Sequence, residues 1–279
     1  MTIDMSTTRT DLALESVQAA CSGAETGTIS GVRSRERTRE GYAVTDIRVE
    51  DEDGAQALGK PVGRYVTVDL GPYFRREADY FDRGVRCLAG ELAALLPEGP
   101  VLAAGLGNRA MTCDAVGPAS IDNLLVTRHM IRAMPRQFAD FRPVAAVCPG
   151  VLARTGLEAL ELVRGAVERV RPAAVIAVDA LAARDSARLC ATVQLSDTGL
   201  VPGSGVGNRR SALDRGTLGV PVIAVGIPTV VDADPRAGLF LTPRDIDQRV
   251  RELSRMMAYG TDLALQPHLT VEDITGLLG

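Results

Sequence analysis

Pro100-Val-Leu-Ala-Ala-Gly-Leu-Gly-Asn-Arg-Ala-Met-Thr-Cys-Asp-Ala-Val-Gly-Pro118 and, further along, Ala173-Ala-Val-Ile-Ala-Val-Asp-Ala-Leu-Ala-Ala-Arg184 carry the pattern from which the architecture is read. Each opens on a short continuous apolar run, residues 101–104 and 174–178, within strands expected at 100–105 and 173–178 and of the kind buried on both faces. Each run leads to an aspartate, Asp114 or Asp179, and then to a stretch of helical character. Strands alternating with helices build an open α/β sheet, and the carboxyl ends of its strands are where ligands and chemistry collect. Two carboxylates meeting there can divide acid and base duties, because like charges at short range do not both ionise easily.

The alternation continues on either side of these two stretches. A strand is expected at 143–148 and a helix at 155–171, the latter opened by Thr155-Gly-Leu-Glu158 with capping-box spacing. Residues 191–196 read as a strand of alternating polarity, and Val220-Pro-Val-Ile-Ala-Val-Gly226 as a fully buried one. Phe81, Val85, Leu88, Leu92 and Leu95 predict a helix from Tyr73 to Leu96, stopped by Pro97 and Gly99. Further helical stretches are expected at about 114–134 and at 180–189. Near the C-terminus, Thr242 is the expected N-cap, Pro243 the first helical residue and Asp245 a first-turn acid. Ile246, Val250, Leu253 and Met257 then form a buried stripe. Before residue 70, Ile47 with Val49, and Val66 with Val68 and Leu70, alternate as strands do. The expected fold is α/β: a mainly parallel twisted sheet covered by helices on both faces, with additional N-terminal strands.

A chain of 279 residues with 46% hydrophobic content can build one sizeable core, and no composition shift divides it. A net charge of −4 offers no basic surface for nucleic acid. The five cysteines are odd in number and lack Cys-x-x-Cys spacing, which points to reduced thiols and a cytoplasmic setting rather than disulfides or zinc. Cys113 beside Asp114 is a conceivable nucleophile, but only His129 and His268 exist to activate it, so a small buried side chain is the plainer reading. No run approaches the roughly 20 apolar residues of a membrane span, and the first residues lack the pattern of a secretion signal.

Several motifs invite chemistry. Gly105-Leu-Gly-Asn-Arg-Ala110 matches the dinucleotide pattern Gly-x-Gly-x-x-Gly/Ala, yet the next strand ends Val147-Cys-Pro-Gly150 without the acid that would hold a ribose. The glycines are better read as a tight turn delivering Asp114; a nucleotide-dependent oxidoreductase is the rival that this motif supports. Ser196-Asp-Thr-Gly199 is a single copy of a loop that pepsin-like proteases use twice in an all-β fold, so Asp197 is expected only to order the following turn. The loop from Thr198 to Arg210 is glycine-rich, and Gly203, Ser204, Gly205, Gly207 and Asn208 are expected to face a substrate, with a backbone amide of 203–207 available to an oxyanion. Asp232 is a third acid or a helix cap.

Together these segments resemble the germination proteases of spore-forming bacteria, which degrade small acid-soluble spore proteins. The resemblance is carried by Gly105-Leu-Gly-Asn108, Thr112 with Asp114-Ala-Val-Gly-Pro118, Cys148-Pro-Gly150 with Thr155-Gly-Leu-Glu158, and Ile176-Ala-Val-Asp-Ala-Leu-Ala-Ala-Arg184. It continues through residues 196–208, 219–233 and 239–247, and covers roughly residues 9 to 265. It implies that Asp114 and Asp179 are catalytic, that the fold is similar to hydrogenase-maturation endopeptidases, and that the chain forms a homotetramer acting in the spore core. It also implies a self-processing zymogen. Two departures stand out: Cys113 occupies a place usually held by Pro, and few residues separate Ala233 from Leu239 where many relatives carry a long insertion.

Thr10-Asp-Leu-Ala-Leu-Glu15 has the form of the segment in which family substrates are cut, after the acid. Self-cleavage is therefore expected between Asp11 and Leu12, making residues 1–11 a pro-segment and 12–279 a single peptidase domain. The plainer alternative is that Leu12, Leu14 and Val17 begin an amphipathic element. No cofactor is expected. A divalent metal between the two acids is the mechanistic rival, although no histidine stands near to complete a zinc-like set. An inactive peptide-binding relative is the third alternative.

Overall fold

The apolar runs at 101–104 and 174–178 become adjacent strands at the centre of one sheet. We describe a computed structural model of residues 10–23, 29–204, 210–234 and 238–278. Its strands are β1 (Val32–Arg39), β2 (Tyr42–Val49), β3 (Gly63–Asp69), β4 (Val101–Gly105), β5 (Val144–Val147), β6 (Ala174–Ala183), β7 (Thr192–Ser196), β8 (Val222–Asp234) and β9 (Leu239–Leu241). The helices are α1 (Ala13–Gly23), α2 (Glu52–Leu58), α3 (Gly71–Phe74), α4 (Tyr80–Ala93), α5 (Val116–Asp122), α6 (Arg128–Ala133), α7 (Leu152–Thr155), α8 (Ala159–Val170), α9 (Arg215–Leu218), α10 (Ile246–Leu265) and α11 (Val271–Leu278).

The strands lie in the order β1-β2-β3-β7-β8-β6-β4-β5, with β9 paired to the far end of β8. From β5 to β8 the pairings are parallel, as crossover helices require. The N-terminal strands extend the sheet from β8 through β7 as an antiparallel ribbon. Side chains alternate across the sheet, so each central strand feeds two cores. On one face Val101, Ala103, Ile176, Val178, Ile223 and Val225 meet α4, α5, α10 and α11. On the other, Leu102, Ala104, Val175, Ala177 and Val222 meet Leu160, Val163 and Val167 of α8 and Leu218 of α9. Farther along this second face, Ile47, Val49 and Tyr65 are covered by Ala13 of α1 and Leu58 of α2. A cleft lies between these two covers.

Several element boundaries differ from expectation. The stretch 180–189 is not helical: β6 runs on to Ala183 because its end pairs with β8 past a register shift at Leu181/Ala182. The single helix expected at 114–134 is α5 and α6, separated where the Leu125 amide donates to the buried Asp262 carboxylate. The helix expected from Tyr73 is α3 and α4, parted by Arg76 and Asp79 in left-handed backbone. The capping box before α8 is built by Glu158 and Glu161, one turn later than Thr155. Thr242 does not cap α10: its hydroxyl donates to the Thr229 carbonyl at 2.9 Å, and the helix begins at Ile246 with Asp245 at its N-cap.

Candidate active site

Asp179 stands within β6 rather than at its end, because the sheet continues past it. Across the sheet it pairs with Gly226 of β8, and Gly226 pairs in turn with Gln194 of β7. Directly paired residues face the same side, so Asp179, Gly226 and Gln194 form one row on the face that carries the cleft. The missing side chain at the centre leaves room on the cleft floor. A Cβ at Gly226 would stand 2.6 Å from Leu181 Cγ and 2.8 Å from the Asp179 carbonyl oxygen.

Asp114 reaches this region by a different route. After β4 the chain turns tightly at Gly107, whose φ of +108° is a conformation that suits glycine, and whose added Cβ would lie 2.1 Å from the Asp114 carbonyl. The Asn108 amide donates to that carbonyl at 2.9 Å, and Asp114 ends a short 3-10 turn, Thr112–Asp114. The Thr229 hydroxyl on β8 donates to the Cys113 carbonyl at 2.6 Å and ties the turn to the sheet. The glycines thus shape the turn that carries Asp114, as the sequence suggested.

Both acids are raised, and Asp179 feels the charge of Asp114. Burial pushes the Asp114 carboxyl up to about 6, partly opposed by the Asn108 amide. Asp179 is pushed well above the ordinary carboxylate range, first by burial and then by the negative charge of Asp114, while the Ala180 amide donating to Oδ1 at 2.9 Å pulls the other way. Asp11 adds a smaller upward push. Both carboxyls are raised, Asp179 by the charge of Asp114 as well as by burial, an asymmetry of the kind that lets one carboxyl donate while another accepts.

The cleft, about 500 Å³, is lined by Asp179, Gly226, Gln194, Gly203, Ser204, Lys60 and Arg184, among others, and also by Thr10 and Asp11. Asp114 is not among the residues that line it, but its charge is felt by Asp179. The segment from Thr10 to Glu15 is docked here. The Asp11 amide donates to the Ala182 carbonyl at 2.9 Å, and the Asp11 carboxylate accepts from the Ala182 amide and the Ser204 hydroxyl, each at 2.8 Å. Its carbonyl accepts from Gln194 Nε2 at 2.9 Å, and Gln194 Oε1 accepts from the Ala13 amide at 2.7 Å. Leu12 is fully buried among Ala183, Val231, Leu181 and Leu189. Glu15 accepts from the Arg184 and Asp185 amides at 2.8 and 2.9 Å and from the Thr10 hydroxyl. Lys60 donates to the Thr10 carbonyl at 2.9 Å.

Of the residues singled out from sequence, Asp179, Asp11, Leu12, Gly203 and Ser204 meet in or beside this cleft, and Asp114, outside its lining, acts on Asp179 through its charge. Gly205, Gly207 and Asn208 lie outside the described residues. Asp197 does not order the following turn; it reaches back to accept from the Arg64 amide at 2.7 Å. Asp232 caps no helix and pairs with Phe240 in the β8–β9 ribbon. The Cys113 thiol is pushed up by burial and by Asp114, the wrong direction for a nucleophile, and His129 lies on α6. Gln194, Lys60 and the amides of Ala182, Arg184 and Asp185 were not singled out. A glutamine in an alternating strand carries no signature, and a backbone amide has none in any sequence.

A family model described as germination protease matches residues 9–237. A germination protease of Caldanaerobacter subterraneus subsp. tengcongensis is 39% identical over 320 aligned positions, covering 97% of this chain and 98% of that one. One from Clostridium perfringens is 37% identical with the same coverage, and one from Bacillus cytotoxicus is 41% identical over 90% of this chain and 69% of that one. Among solved structures, a NiFe hydrogenase maturation protease from Thermococcus kodakarensis matches with a TM-score of 0.38 and 16% identity, covering 61% of this chain and 98% of that one.

Proposed function

This chain belongs to the germination protease family, and on that premise we propose that it is an endopeptidase that cuts small acid-soluble spore proteins after an acidic residue and first cuts itself between Asp11 and Leu12. That it is a hydrolase of the endopeptidase type follows from the family; its substrates, its processing and its working residues are our reading. One observation carries that reading. The Asp11–Leu12 bond lies in the cleft beside Asp179, its acid gripped by Ala182 and Ser204 and its leucine enclosed by apolar side chains.

In this mechanism Asp114 is the general base and Asp179 the general acid. A water adds to the Asp11 carbonyl carbon as Asp114 takes its proton, while Asp179 shares its own proton with the carbonyl oxygen. The tetrahedral adduct collapses when the carbon–nitrogen bond breaks. The electron pair goes to the Leu12 nitrogen, which receives the proton held by Asp114, and the proton of Asp179 returns. The products are an Asp11 carboxyl group and a free Leu12 amine. In this mechanism the two raised carboxyls supply both the acid and the base. Processing would free the cleft for a segment of the same form, an acid followed by Leu-Ala-x-Glu or its like. A zymogen, a homotetramer and action in the spore core belong to the same proposal.

The test is the N-terminus itself. On incubation, the parent chain is expected to lose residues 1–11 by mass spectrometry and then to cut a peptide containing Thr-Glu-Phe-Ala-Ser-Glu. Asp114→Asn and Asp179→Asn are each expected to stay whole and to leave the peptide whole while remaining folded. Normal processing by either variant defeats the assignment.

A further inference from the structure

We propose that Gln194 is a catalytic residue, its side-chain amide holding the oxygen of the peptide bond that is cut. The proposal rests on the reading that Asp11–Leu12 is that bond. Gln194 is buried at 8% exposure, and its two hydrogen bonds are both to the docked segment: Nε2 donates to the Asp11 carbonyl at 2.9 Å and Oε1 accepts from the Ala13 amide at 2.7 Å. The orientation of the amide follows from chemistry. A backbone N–H requires an oxygen, so the end facing Ala13 is the carbonyl and the NH₂ must face Asp11. One side chain thereby brackets the bond, fixing its carbonyl on one side and the second residue beyond it on the other.

Its position on the sheet supports more than binding. Gln194 occupies the same cross-strand row as Asp179, with Gly226 between them. The raised acid and the amide that holds the Asp11 carbonyl thus face the same cleft from one row of the sheet. Strand β7 is paired on both sides, to Thr67 of β3 and Gly226 of β8, so this donor is held before reaction begins. As water adds to the carbonyl carbon, the oxygen gains negative charge, and a fixed donor gains strength with it. The Ser204 hydroxyl holds the side chain of Asp11, and residues 205–207 of the loop from which an oxyanion donor was expected lie outside the described residues.

The experiment compares the parent full-length chain with Gln194→Ala and Gln194→Glu, following self-processing and then steady-state cleavage of a peptide spanning residues 5–20. Gln194→Glu is nearly isosteric and keeps an acceptor for the Ala13 amide while losing the donor at neutral pH. It carries the test even if Gln194→Ala is poorly folded. Removing one such donor is expected to lower kcat by roughly 10²–10³-fold in both variants at pH 7, with KM within about threefold of the parent, as an interaction strengthened in the transition state requires. Parental kcat in Gln194→Glu, or a loss confined to KM, would overturn the role of Gln194 and leave self-cleavage standing. A parent chain that leaves its own Asp11–Leu12 bond and that of the peptide whole would overturn the reading beneath it, and the proposal too.

Discussion

Asp179 and Asp262 are both carboxyls whose ionisation the fold opposes by burying them. Asp262, 1% exposed, is pushed up to about 8 by burial, with the Leu125 amide pulling it part of the way back. A carboxyl whose folded pKa lies above its unfolded value binds more protons folded than unfolded across the interval between them. Stability is therefore complete below the ordinary carboxylate range and falls as pH rises toward the raised value. A Tm measured from pH 4 to pH 8 is expected to decline, and Asp262→Asn to flatten that decline because its amide oxygen still accepts from Leu125. Asp179→Asn is expected to raise Tm at neutral pH while abolishing cleavage, a loss of function that brings a gain of stability. In the proposed mechanism Asp114, near 6, sets the acid limb of activity, so kcat is expected to drop as pH falls through about 6 and the base becomes protonated. Both acids were visible in the sequence as residues following buried runs. The order in which the proposed mechanism assigns acid and base was not, because burial depth and the spacing of two charges are properties of the packed molecule.

The sheet row Asp179–Gly226–Gln194 makes a prediction at the scale of elements. Alanine at Gly226 would press against the Asp179 carbonyl at 2.8 Å and Leu181 at 2.6 Å, forcing β6 and β8 apart at the cleft floor. Gly226→Ala is expected to cost about 1–3 kcal/mol in a denaturation experiment and to reduce kcat by about 10²-fold, the usual consequence of moving catalytic groups by an ångström. Element type was legible where the pattern was long, as in α4, α8 and α10. It failed at Ala180-Leu-Ala-Ala183, good helix formers that pair with β8 as a strand, since available sheet hydrogen bonds override a weak local preference. The divided helices failed for a related reason. Their breaks depend on left-handed residues such as Asp79 and on a distant partner, Asp262 for Leu125, neither of which leaves a local mark.

Over the whole molecule, the cleft is the uncovered part of the second face of the sheet, between α8 with α9 and α1 with α2. Among the described residues no group of three or more His, Cys, Asp or Glu side chains is placed to hold a metal ion. The proposed two-carboxyl mechanism predicts that self-processing and peptide cleavage proceed at the parental rate after exhaustive chelation. A rate abolished by chelator and restored by a divalent cation would replace that mechanism with a metal-based one.

Strand runs, glycine turns and the two aspartates were available from the sequence alone, because period, turn chemistry and charge are local properties of neighbouring residues. So was the likeness of residues 10–15 to a cut site. Only the tertiary structure brought that segment into the cleft. Asp11 meets Ala182, Gln194 and Ser204 across 171, 183 and 193 residues of chain. Contacts over such separations are selected by the packing of the whole sheet, and no stretch of sequence contains the geometry that closes them.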